Sequence, residues 1–128
     1  MPVTWTISPP IRLVIAMCKG IVSPQDMNAY LDAVVVADAM PYRKIFDLSG
    51  ATLDYSDADM MALGARIQAY AQQPGQPMGP LAIVASTPQA HEQAQMFATL
   101  AKAKRPIRIF REQHLARKWL DEQAAPDG

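Results

Sequence analysis

The stretch Leu81-Ala82-Ile83-Val84-Ala85 is continuously apolar, and Ser86-Thr87-Pro88 follows it directly. A short apolar run of this kind is typical of a central strand in a parallel sheet that is covered on both faces. Threonine is a favoured helix cap and proline suits the first helical turn, so a helix is predicted to begin at Thr87-Pro88. The stretch therefore predicts a strand followed by a helix, the repeating unit of α/β folds.

The same alternation extends outward from this stretch in both directions. Ser23-Pro24 and Ser56 are predicted helix starts, because each serine can cap a helix that carries aspartate in its first turn. Strands are predicted at residues 3–7, 11–19, 42–48, 81–85 and 107–110. The faces predicted to be buried on the four helices are Met27, Tyr30, Leu31, Val34 and Val35; Met60, Leu63, Gly64, Ile67 and Ala71; Ala90, Ala94, Phe97 and Ala101; and Leu115, Ala116, Trp119, Leu120 and Gln123.

The predicted order is ββαβαβαβα, a mixed five-stranded sheet with four helices. The first two strands are separated only by Ser8-Pro9-Pro10, so we expect an antiparallel pair. The remaining strands alternate with helices, which predicts parallel, right-handed crossovers. The length of 128 residues fits one domain, assigned to residues 1–123, with residues 124–128 as a frayed tail. Residues Pro74–Pro80 are rich in proline and glycine and are predicted to form a mobile loop.

The composition excludes several classes of protein. Twelve basic and twelve acidic side chains balance to zero, which argues against a nucleic-acid binder and against a polybasic membrane anchor. The longest apolar runs are too short to span a bilayer, so no stable membrane insertion is expected. The single cysteine, Cys18, cannot form an internal disulfide, and the N-terminus has no basic region of the kind that opens a signal peptide. These features predict a cytoplasmic protein.

Three segments resemble a known family. Phe46-Asp47-Leu48-Ser49-Gly50 followed by Asp54-Tyr55-Ser56 resembles the STAS pattern of a strand that ends in Asp-Leu-Ser before a short loop and a helix. Tyr42–Asp47 and Gly79–Val84 resemble more closely the bacterial SpoIIAA-like proteins, which are related in shape to the CRAL-TRIO lipid carriers. The resemblance covers the whole chain and implies the ββαβαβαβα fold and a regulatory, protein-binding role.

The resemblance also implies a phosphoacceptor role for Ser56, because anti-sigma antagonists are phosphorylated at the serine that opens this helix. Here, however, Asp57 stands where that family prefers glycine, and Asp54, Asp57 and Asp59 would repel a phosphate. We therefore favour the simpler interpretation that Ser56 caps the helix.

Polar side chains follow the predicted parallel strands at their carboxyl ends, where ligands gather in open sheets. Those ends carry Asp47, Ser49, Ser86 and Arg111, with Asp54 and Ser56 nearby. They predict a site for a ligand or a partner segment; the alternative is that these side chains serve only the turns in which they lie. Met60 and Gly64 of the second helix are further candidates, as contacts for an apolar ligand.

The sequence predicts no metal and no cofactor. His91 and His114 have no spacing that would bind a metal, and no glycine-rich phosphate loop is present. Cys18 falls within a strand, where a small buried side chain is expected rather than a reactive thiolate. A hydrolytic serine would need an activating base, and we expect no histidine near the candidate residues.

Three functions remain. The first is a non-catalytic protein-interaction module that binds a partner or a second copy of itself through the second helix and the loops around residues 47–56. The second is a carrier or sensor of a small apolar or lipid-like ligand, with the eight methionines as adaptable contacts and residues 74–80 as a lid. The least favoured is a hydrolytic enzyme.

Overall fold

The computed structural model describes residues 2–73, 77–100 and 105–123. Within them the chain forms β1 (Val3–Ser8), β2 (Leu13–Val22), α1 (Pro24–Val36), β3 (Arg43–Leu53), α2 (Asp57–Ala71), β4 (Leu81–Val84), α3 (Pro88–Leu100), β5 (Ile107–Phe110) and α4 (Gln113–Asp121). The predicted order ββαβαβαβα is confirmed. Residues 124–128, predicted to be a frayed tail, lie outside the described part, as does Ala101.

The five strands form one sheet in the order β1-β2-β3-β4-β5. β1 pairs with β2 antiparallel, and every later pair is parallel, as predicted. The crossovers from β2 to β5 all advance in the same direction across the sheet. Because such crossovers are right-handed, they place α1, α2 and α3 together on one face. α4 follows the last strand and covers the other face alone.

The sheet therefore separates two cores. The larger core lies beneath α1, α2 and α3, and includes Val14, Phe46 and Ile83. The smaller core lies beneath α4 and includes Ile45, Ala82 and Leu120. Two predicted core positions are wrong: Val35 and Leu115 are 40% and 42% exposed. Each lies at the margin of the apolar face of its helix, where the narrow contact with the sheet leaves the side chain in solvent.

β2 and β3 differ from the prediction at their ends. β2 begins at Leu13 rather than Ile11, because residues 9–11 form a short 3-10 turn. β2 continues to Val22 and β3 to Leu53, and the two strands pair from Lys19 with Gly50 to Val22 with Leu53. Gly20, at φ +69°, follows a register shift in β2 and adopts a backbone conformation that suits glycine. Residues 49–53, predicted to be a loop, thus extend the sheet.

Part of the predicted mobile loop is fixed in place. Met78, Gly79 and Pro80 are buried. The Gly79 N–H donates to the Met40 carbonyl at 2.9 Å, and the Pro80 carbonyl accepts from the Lys44 N–H at 2.9 Å. The prediction of mobility is therefore wrong for these three residues, because their backbone is bound to Met40, before β3, and to Lys44, at the start of β3. Residues 74–76 lie outside the described part.

Candidate functional site

Two of the predicted site residues share a groove at the carboxyl edge of the sheet. Ser86 and Arg111 are exposed and line a groove of about 510 Å³ with His91 and Glu92 of α3. We call it the α3–β5 groove. The expectation that no histidine would lie near the candidates is wrong, because α3 begins directly after β4 and its first turn stands beside the strand end. Among the described residues, no hydrogen bond joins the Ser86 hydroxyl to His91.

Ser49 lies in a second groove, which we call the β3–α3 groove. Its volume is about 560 Å³, and it is lined by β3 residues Ser49–Thr52 and by the start of α3 from Thr87 to Gln93. Thr87 and Pro88 line both grooves. The Thr87 hydroxyl accepts from the Ala90 N–H at 3.1 Å, which caps α3 as the sequence predicts.

One edge of β3 is unpaired along the β3–α3 groove. β4 pairs with β3 only from Lys44 to Asp47, whereas β2 accompanies β3 as far as Leu53. Beyond Asp47, the side of β3 that faces α3 therefore has no neighbouring strand in the described part of the chain. The Gln93 side-chain amide donates to the Leu53 carbonyl at 3.3 Å and closes the far end of this edge. An open edge of this kind can accept an extended segment as an additional strand.

Asp47 supports the turn interpretation at its own position. It is 5% exposed, and its Oδ1 accepts from the Ser49 N–H at 2.8 Å. The carboxylate thus satisfies the backbone where the register of β3 shifts against β2. It positions Ser49 at the mouth of the β3–α3 groove.

Asp54 and Ser56 are exposed outside both grooves. The Ser56 hydroxyl accepts from the Asp59 N–H at 3.0 Å, and the Ser56 N–H donates to the Asp59 carboxylate at 3.0 Å. This reciprocal capping box occupies Ser56 with the start of α2. Ser23 and Asp26 form the same box at α1.

Met60 and Gly64 are buried on the inner face of α2, within the larger core. An apolar cavity of about 50 Å³ lies nearby, between the sheet and the three helices that cover it. We call it the helix-side cavity. The methionines that line it are Met27, Met40 and Met78, rather than Met60. Pockets for drug-sized ligands occupy about 300–1,000 Å³, so this space does not fit a lipid.

Sequence reasoning missed two cations that line the helix-side cavity, Lys44 and Arg105. Lys44 is 5% exposed, and its ammonium donates to the carbonyls of Met40 and Tyr42. Burial, reinforced by the charge of Arg105, holds the Lys44 pKa well below its ordinary value. Burial also lowers the Arg105 pKa to about 10. The Arg105 Nε is enclosed and has no hydrogen-bond partner in the described part of the chain.

A signal for one of these cations was present in the sequence. Lys44, Phe46 and Leu48 alternate along β3, so the period of two places Lys44 on the same covered face as two core residues. Arg105 carried no such signal. It follows a helix and precedes a strand, where a cation that balances the helix dipole is the ordinary expectation.

Cys18 is buried within β2, as predicted from the sequence. Cys18 is 3% exposed, and burial, reinforced by the Asp47 charge, raises its pKa to about 12, so the thiol stays protonated at neutral pH. Over the described residues, no group of three or more histidine, cysteine, aspartate or glutamate side chains is placed to hold a metal ion.

The fold has a clear counterpart among solved structures. An uncharacterised DUF3478-family protein with a SpoIIAA-like fold from Shewanella loihica PV-4 superimposes with a TM-score of 0.59 at 14% identity, over 92% of this chain and 91% of that one. The chain therefore has a SpoIIAA-like fold. No protein-family model matches the sequence, and no curated protein matches it either. Among the described helices, none is both long and apolar enough to cross a membrane.

Proposed function

We propose that the chain is a non-catalytic, cytoplasmic interaction module that binds an extended segment of a partner protein in the β3–α3 groove. The edge of β3 beyond Asp47 carries this proposal, because no strand of the described chain pairs with it and the backbone groups there that neither β2 nor a side chain takes up, such as those of Ala51, can bond an added strand. Exposed Ser49 and Thr52 border the edge, and Ser86 and Arg111 lie in the adjoining α3–β5 groove to contact the flanking part of the same segment.

The proposed contact surface differs in part from the one suggested by the sequence. The sequence suggested the second helix and the loops around residues 47–56. We propose α3 in place of α2, because the start of α3 forms the opposite wall of the groove along the open edge. A second copy of the chain could supply the extended segment through its own edge strand, which would make a homodimer.

Site-specific photo-crosslinking tests the proposal. A photo-reactive residue placed at Thr52, inside the groove, is expected to capture a protein from a lysate of the source cells. The matched control is Thr6, which is also an exposed threonine on a strand but lies in β1. Capture at Thr52 and not at Thr6, abolished by Thr87→Arg in the opposite wall, is the expected result. Equal capture at both positions, or at neither, would contradict it.

The helix-side cavity favours a second candidate function, the binding of a small ligand. Its lining is apolar apart from a few polar side chains that include Lys44 and Arg105, a composition that suits ligand sites. The volume of about 50 Å³ restricts that ligand to a very small molecule. Binding there would make the module a sensor rather than a lipid carrier.

A further inference from the structure

We infer that the helix-side cavity binds a short aliphatic carboxylate, with the anionic group between Lys44 and Arg105 and the alkyl tail against the apolar wall. The inference rests on the second candidate function above and specifies the ligand of that site. It is independent of the β3 edge.

The charge in the cavity is unbalanced. Lys44 and Arg105 both line it, and no acidic side chain does so among the described residues. Residues 74–76 and 101–104, which are outside the described part of the chain, contain no acidic residue in the sequence. Buried charges in proteins are normally paired, because an unpaired charge loses its hydration without compensation. Lys44 is buried, and Arg105 is half-buried with its Nε enclosed. Two cations that line one cavity without an acid therefore favour a bound anion.

Some hydrogen-bond donors of the two cations also have no acceptor among the described residues. The Arg105 Nε–H is enclosed and has no acceptor in the described part of the chain. The Lys44 ammonium has three N–H donors, of which the carbonyls of Met40 and Tyr42 take two. A carboxylate has two oxygens, so it can accept from the Lys44 ammonium and from the Arg105 Nε–H at the same time. Both would be charge-assisted hydrogen bonds, which are stronger than neutral ones.

The lowered pKa values agree with this geometry. Burial lowers the pKa of both Lys44 and Arg105, and the Arg105 charge lowers that of Lys44 further. An anion between the two groups would raise both values again, since an opposite charge stabilises the protonated forms.

The volume of the cavity limits the size of the ligand that it can hold. A buried water needs roughly 10–15 Å³ of such space, so a volume of about 50 Å³ accommodates roughly four groups of that size. Acetate, with four non-hydrogen atoms, matches this volume, and propionate, with five, is at its upper limit, whereas a fatty acid does not fit. The remaining wall consists of hydrocarbon side chains such as Leu31, Leu63 and Ile83, which suit a short alkyl tail.

Titration of the isotope-labelled full chain with sodium propionate, followed by methyl NMR, tests the inference. We expect saturable shifts at Leu63 and Ile83. Propionamide, which has the same shape without the charge, and sodium chloride at equal ionic strength are expected to cause none. Saturable shifts with propionamide alone would retain the small-ligand function and overturn the carboxylate. Shifts with chloride equal to those with propionate, or no saturable shift at all, would also overturn it.

The variant Arg105→Met tests the role of the cation. It is expected to weaken propionate binding at least about tenfold, the effect of losing a charge-assisted hydrogen bond. Because Arg105 has an unpaired buried nitrogen, the variant is expected to fold, with a melting temperature at least equal to that of the wild type. Arg108→Met, an exposed arginine three positions along the chain, is the matched control and should bind normally. Equal affinity in both variants would overturn the assignment.

Discussion

Gly79 allows the segment just before β4 to lie against the backbone of residues 40–42. A Cβ at this position would lie 2.6 Å from the Tyr42 carbonyl carbon, and the neighbouring carbonyl oxygens are closer still. The same glycine donates its N–H to Met40. Only glycine lets the two backbones approach this closely.

We therefore predict that Gly79→Ala destabilises the protein by about 1–3 kcal/mol, as overpacking does. Gly50→Ala is the matched control, because its Cβ would come no closer than 3.4 Å to any neighbour. That variant should change stability by less than about 0.5 kcal/mol. Urea unfolding of both variants measures the difference, and a similar loss in the two would contradict the close approach at Gly79.

Residue-scale prediction from the sequence succeeded where a local rule decides the structure. Ser23 and Ser56 were expected to cap helices and Thr87-Pro88 to start one, and all three hydroxyls accept a capping hydrogen bond. It failed where distant segments decide. Arg105 lines the helix-side cavity because β5 pairs beside β4, and nothing in its immediate sequence neighbourhood indicates that.

At the scale of the element, α2 depends on its first turn. Ser56 and Asp59 satisfy one backbone N–H each, and the capping box adds acidic charge at the positive end of the helix. This structural role accounts for Ser56 without a phosphate.

We predict that Ser56→Ala costs about 1 kcal/mol of unfolding free energy, the usual contribution of a capping hydroxyl. Ser56→Asp should retain most of the stability, because aspartate also caps helices. Ser49→Ala, an exposed serine outside any helix, should change it by less than about 0.5 kcal/mol. Chemical denaturation measures all three. Equal losses in Ser56→Ala and Ser49→Ala would show that the cap does not stabilise α2.

The extension of β3 is the element that the sequence could not predict. Its residues, Ser49-Gly50-Ala51-Thr52-Leu53, lack a regular apolar alternation and contain a glycine, which is typical of a loop. They form a strand because the end of β2 runs alongside them and supplies hydrogen bonds from one side. A pairing between segments about 30 residues apart is a tertiary effect, so local propensity did not reveal it.

At the scale of the whole molecule, the topology followed from the alternation of strands and helices. The sequence order predicts right-handed parallel crossovers but not the order of the strands in the sheet. Because the structure orders them β1-β2-β3-β4-β5, the crossovers all advance one way and place α1, α2 and α3 over one face. The same geometry gathers the ends of the parallel strands at one edge, which is why Ser49 and Ser86 come to adjoining grooves. The open edge of β3 exists because β3 continues to Leu53, whereas β4 pairs with it only as far as Asp47.

Amide hydrogen exchange, with and without the partner captured at Thr52, tests the central claim most directly. An added strand in the β3–α3 groove would protect the amide among residues 49–52 that faces away from β2, that of Ala51, since a new hydrogen bond slows its exchange. β1 is a sheet edge as well and serves as the internal control. Protection at residues 49–52 with β1 unchanged is the predicted result. Protection of β1 with residues 49–52 unchanged would contradict the proposal and place the partner on the opposite edge of the sheet.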